Sequence, residues 1–144
     1  AGGRIDGFCD FVGSGGSFAG CAAAFKERDD RVECFLVEPE GAAVLAGEKV
    51  TNTGHPIQGG GYSRPELDLI NFEHVDGYIQ VTSQESIKAC RRLARDEGIF
   101  AGFSSGANIS AAVQLLCGEL KGGVVVILIN DSGLKYLSTD LWNT

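Results

Sequence analysis

Gly13, Ser14, Gly15, Gly16 and Ser17 form the tightest chemical constellation in the sequence: three glycines and two hydroxyls in five residues. Without Cβ atoms, backbone N–H groups stay open to a close-approaching anion. A helix beginning just after such a turn adds partial positive charge. Ser14 and Ser17 can donate hydroxyls to the same guest, so a phosphate group is the natural ligand. The alternative is a tight connection with no ligand. The loop lacks the GxxxxGK[ST] pattern of a nucleoside triphosphate loop, since no lysine follows it. It half fits the dinucleotide fingerprint GxGxxG: Gly13 and Gly15 match, but the third position is Phe18. Glu38, at the end of an apolar run, stands where a ribose-binding acid would, which keeps a dinucleotide-binding module open as a second reading.

Other reactive side chains are sparse. His55 and His74 are the only histidines, both in expected loops, so no Ser-His-Asp triad or histidine metal cluster can be assembled. Cys9, Cys21, Cys34, Cys90 and Cys117 are odd in number and none stands in CxxC spacing. They read as buried thiols in a reducing compartment, with no metal site and no disulfide framework.

The elements that must position these residues follow from hydrophobic patterning. Residues 7–12 (GFCDFV) read as a buried strand, followed by a helix over 18–27 with Phe18, Cys21, Ala22 and Phe25 on one face. A second strand is expected over 32–38 and a short helix over 39–45, where Pro39 suits a first turn. Residues 47–74 are irregular, and a structureless stretch of that length is often functional. A third strand over 77–81 leads into a helix over 83–97, signalled by the capping box Thr82 and Glu85 and stopped by Gly98. A further helix is expected over 104–117. The run 124–129 reads as a strand buried on both faces. The pattern predicts an α/β fold: a three-layer, Rossmann-like parallel sheet with helices on both faces, in a single domain over 1–144. Ligands in such sheets bind beyond the carboxyl ends of the strands, where GSGGS, VEPEG and NDSG all fall.

Composition narrows the function classes. Hydrophobic residues make up 44% and charged residues 22%, which excludes a disordered chain. The net charge of −7 argues against nucleic acid or an anionic membrane surface as partner. The longest apolar run, Val124–Ile129, is too short to span a bilayer, and no secretory signal opens the chain, so a cytoplasmic location is expected.

Five segments in order then resemble the fold-type II pyridoxal-phosphate (PLP) enzymes, the cysteine synthase and cystathionine β-synthase family. GSGGS is similar to that family's GTGGT loop. VEPEGAAVL at 37–45, HPIQGGGY at 55–62, EGIFAGFSSGAN at 97–108 and NDSGLKYLST at 130–139 resemble its further motifs. The resemblance implies PLP as cofactor, with Gly13, Ser14, Gly15, Gly16 and Ser17 on its phosphate and Ser132 at its pyridine nitrogen. A hydroxyl there keeps that nitrogen neutral, which in this family favours β-elimination and replacement. Gly59, Gly60, Gly61 and Tyr62 would line the substrate mouth, and Ser104, Ser105 and Gly106 would pack beneath the site. The implied reaction is β-replacement, an O-activated serine plus a sulfur nucleophile giving cysteine or a related amino acid, in a homodimer. The chain departs from the family in one respect. Lys26, Lys49, Lys88, Lys121 and Lys135 are its lysines, and none lies in the S-x-K-D-R setting of the family's Schiff-base lysine. Lys26 and Lys88 read as solvated surface. The chain therefore reads as a C-terminal part of the cofactor-binding large domain, without the small domain, with no catalytic residue to assign and inactive alone. A non-catalytic interaction domain derived from the same fold is the third reading.

Overall fold

The computed structural model describes residues 3–143. Strand β1 (Gly7–Phe11) is followed by helix α1 (Gly16–Arg28) and strand β2 (Glu33–Pro39). A long irregular stretch, with one 3₁₀ turn at Phe72–His74, leads to strand β3 (Gly77–Val81). Helices α2 (Ser83–Glu97) and α3 (Phe103–Cys117), strand β4 (Val125–Ile127) and a 3₁₀ turn at Gly133–Tyr136 complete the chain. The four strands are all parallel, in the order β3-β2-β1-β4. Gly7 pairs with Glu33 on one side and with Val125 on the other, so β1 occupies the middle of the sheet.

Side chains alternate across the strands and divide the core into two layers. Phe8, Cys34 and Leu36 meet Phe18 and Ala22 of α1. Cys9, Phe11, Phe35, Val37, Ile79 and Val81 face Cys90 of α2 and Phe103, Ala107 and Leu115 of α3. This is the expected α/β sandwich with helices on both faces. The capping box of α2 is formed at both ends: the Glu85 N–H donates to the Thr82 hydroxyl at 3.1 Å and the Thr82 N–H to the Glu85 carboxylate at 2.8 Å.

Three local expectations are corrected. Pro39 ends β2, and residues 40–45 run through turns, not a helix. The buried Glu38 carboxylate accepts the N–H groups of Leu45 and Ala46, both at 3.0 Å, and bends the segment back upon the strand end. The last strand is three residues long, half-buried and at the sheet edge, so its apolar run does not lie in the centre of the sheet. Lys26 is not solvated: its ammonium lies 2.7 Å from Asp76, whose carboxylate also accepts the Cys34 N–H.

Candidate functional site

The site grows from the exit of β1. The chain leaves Phe11, turns through residues 13–15 and enters α1 at Gly16. Gly15 has φ +85°, in the left-handed region that favours glycine. A Cβ at Gly13 would collide with the carbonyl oxygen of Gly59, so the two loops are in direct contact. The first turn of α1 has no side-chain cap and no acidic residue, whereas α2 is closed by its own capping box. The N–H groups at the start of α1 therefore remain directed outward. Ser14 and Gly16 are exposed beside them. Open N–H groups, glycines that admit close approach and an exposed hydroxyl fit a phosphate.

Gly59–Tyr62 sits against this turn. The Gly61 N–H donates to the Val12 carbonyl at 3.1 Å, and a side chain at Gly60 would strike the same carbonyl. With His55, Ile57 and Gln58 the segment lines a cavity of about 580 Å³. Tyr62 is exposed at its rim. The structure thus joins the expected substrate mouth to the glycine loop, although some 45 residues separate them. His55 Nε2 meets the Gly61 carbonyl at 3.1 Å, while its buried Nδ1 has no partner among the described residues.

Beneath the loop lies a polar network that sequence reasoning missed. Asp10 is fully buried within an otherwise apolar strand. Its carboxylate accepts the Ser17 hydroxyl at 2.7 Å, the Asn108 amide at 3.0 Å and the Asn130 amide at 3.4 Å. Burial pushes the Asp10 carboxyl above its ordinary range, and these hydrogen bonds oppose the shift. Asn108 is also fully buried: its oxygen accepts the Phe11 N–H at 2.6 Å and its amide donates to the Leu128 carbonyl at 3.0 Å. A carboxylate in GFCDFV and an amide in the apolar α3 were the signals available.

Two serines open α3. The Ser105 hydroxyl accepts the Asn130 N–H at 3.0 Å. Ser104 is buried, and its hydroxyl enters none of the hydrogen bonds among the described residues. It lies four residues before Asn108, hence on the same helix face, which meets the exit of β1. Ser132 is exposed, and its hydroxyl accepts the Leu134 N–H at 3.3 Å, capping the last 3₁₀ turn. Glu38, the acid of the dinucleotide reading, is buried and spent on backbone N–H groups. Among the described residues no cluster of His, Cys, Asp and Glu could hold a metal, and no helix is long and apolar enough to cross a membrane.

A family profile described as "Pyridoxal-phosphate dependent enzyme" matches residues 1–131. A cysteine synthase from Staphylococcus aureus is 37% identical over 139 residues, covering 96% of this chain and 44% of the relative. The crystal structure of O-acetyl serine sulfhydrylase isoform 3 from Entamoeba histolytica superposes with a TM-score of 0.90 at 34% identity, covering 99% of this chain and 42% of that one. An O-acetylserine dependent cystathionine beta-synthase from Helicobacter pylori gives a TM-score of 0.83 at 31% identity, covering 96% and 44%. The chain therefore spans less than half the length of these relatives.

Proposed function

Because the chain belongs to the pyridoxal-phosphate dependent enzymes, we propose that it is the cofactor-holding part of a cysteine synthase-like β-replacement enzyme. The substrates would be an O-activated serine and a sulfur nucleophile, in the cytoplasm. The observation that carries this reading is the uncapped start of α1 behind a glycine loop, in contact with the wall of a cavity. PLP, when bound, supplies an electron sink for charge developing beside an amino acid's nitrogen. The chain's own residues do the rest. Gly13, Gly15 and Gly16 let backbone N–H groups reach the phosphate, and Ser14 and Ser17 supply hydroxyls. Gly59–Tyr62 narrows the mouth through which an amino acid enters.

The ring nitrogen needs a neutral hydroxyl, and two serines can offer one. The resemblance points to Ser132. Geometry favours Ser104, a buried residue at the start of α3 on the helix face that meets the β1 exit, while Ser132 caps a turn at the surface. The outer edges of β3 and β4 are unpaired within the described sheet, which supports self-association. Sedimentation velocity over a range of protein concentrations checks it, and a monomer throughout overturns it.

The test is a titration of the protein with PLP, followed by cofactor absorbance and by quenching of Trp142 fluorescence. Saturable binding displaced by inorganic phosphate is expected. Ser14→Ala combined with Ser17→Ala should weaken it about tenfold, or ~1.4 kcal/mol. Ser104→Ala should shift the absorbance band of the bound cofactor, and Ser132→Ala should leave it unchanged. Unsaturable uptake that phosphate does not compete with overturns the proposal.

A further inference from the structure

We infer that Asp10 couples anion binding at the 13–17 loop to uptake of a proton by the protein, an inference that rests on the phosphate-loop reading above. Asp10 lies under that loop, fully buried, and touches it through a single bond: the Ser17 hydroxyl donates to its Oδ2 at 2.7 Å. A serine hydroxyl has one proton to give. While Asp10 is ionised, that proton is turned inward, and Ser17 cannot donate it to a ligand at the start of α1.

The surroundings offer the carboxylate no compensating charge. On its own strand the adjacent Cys9 thiol is near enough to feel its charge. From α1 come the Ser17 hydroxyl and the Cys21 thiol, from α3 the Asn108 amide, and from the segment after β4 the Asn130 amide. No lysine, arginine or histidine donates to Asp10 among the described residues. An anion arriving at residues 13–17 would meet a second negative charge across a short, poorly screened gap. A proton taken from solvent onto Oδ2 resolves both conflicts. It removes the charge and makes the carboxyl a donor, so that the Ser17 oxygen accepts and its own hydrogen rotates outward to the anion. Burial has already raised the Asp10 carboxyl above its ordinary range, which brings the protonated form closer to working pH. Linkage is reciprocal: anion binding raises the proton affinity of Asp10, and protonation raises anion affinity.

Sulfate is the probe, because its charge stays fixed across the range where phosphate esters titrate. Binding is measured calorimetrically between about pH 5 and pH 8, for the protein, for Asp10→Asn and for Asp10→Ser as a second variant. The expected result is tightening of sulfate binding as pH falls, by at most about tenfold per unit, the limit for one proton. In both variants binding should be tighter at the alkaline end and its slope flatter. His55 and His74 are common to all three proteins, so the difference between the curves belongs to Asp10. Repeating the wild-type titration in two buffers of different ionisation enthalpy should show net proton uptake. Parallel curves for wild type and variants, or zero proton uptake, overturn the coupling while leaving the loop as an anion site. Absence of sulfate binding in every protein with native circular dichroism overturns the loop reading, and the coupling falls with it.

Discussion

Asn108 holds more of the site together than any residue of the glycine loop. Its oxygen takes the Phe11 N–H just where β1 ends, and its amide reaches Asp10 and the Leu128 carbonyl. One buried side chain thereby ties α3 to the exits of two neighbouring strands. Replacing it by alanine leaves a buried N–H, a buried carbonyl and a carboxylate short of partners, at about 1–3 kcal/mol for each unsatisfied group, tempered by relaxation. Asn108→Ala is expected to lose about 3 kcal/mol of stability in urea denaturation, with the slope unchanged. A loss below about 0.5 kcal/mol would mean that the network is decorative.

At the scale of elements, the site depends on how closely α2 and α3 approach. A Cβ at Gly106 would collide with the Ser86 carbonyl oxygen, a backbone atom that cannot rotate away. The same crossing is bridged by the Ser86 hydroxyl, which donates to the Phe103 carbonyl at 2.6 Å, and by the Cys90 thiol, which donates to the Gly102 carbonyl at 2.9 Å. The start of α3, with Ser104 and Ser105, is set by this contact. Gly106→Ala should therefore cost about 2 kcal/mol and lower the thermal midpoint. It should also weaken PLP binding, because the helix must move outward. Unchanged melting would show that α2 and α3 are free to separate.

At the scale of the molecule, two buried carboxyls set the pH response. Burial raises Asp10 and Glu38, and among the described residues no lysine, arginine or histidine donates to either carboxylate. A carboxyl raised in the folded state favours folding most below its ordinary pKa, and that contribution is lost as pH rises through the raised value. Asp29 works in the other direction: its hydrogen bonds to Arg31 hold it down to about 2, so its contribution is lost only in strong acid. The net charge of −7 adds repulsion as pH climbs. Urea midpoints should thus peak in mildly acidic solution and decline toward neutrality, and Asp10→Asn should flatten that decline. A midpoint that climbs steadily up to neutral pH contradicts this account.

The sequence by itself determined the layered α/β architecture, because buried parallel strands, capped helices and glycine turns are written in local patterns. GFCDFV, VECFLVE and the Thr82–Glu85 box each needed only their neighbours to be read. It also showed where the glycine loop falls, because its five residues stand side by side where β1 gives way to α1. Tertiary structure alone decided the rest. The 39–45 segment carries helix signals, yet a buried Glu38 captures its N–H groups and folds residues 40–45 into turns. The apolar 124–129 run carries the pattern of a central strand, yet pairing order leaves it at an edge. Asn108 and Asn130 lie 98 and 120 residues from Asp10, so no local pattern signals their meeting with it and with Ser17. A hydrogen-bond network is a property of distances in space, and those exist only after β1 and α3 have packed.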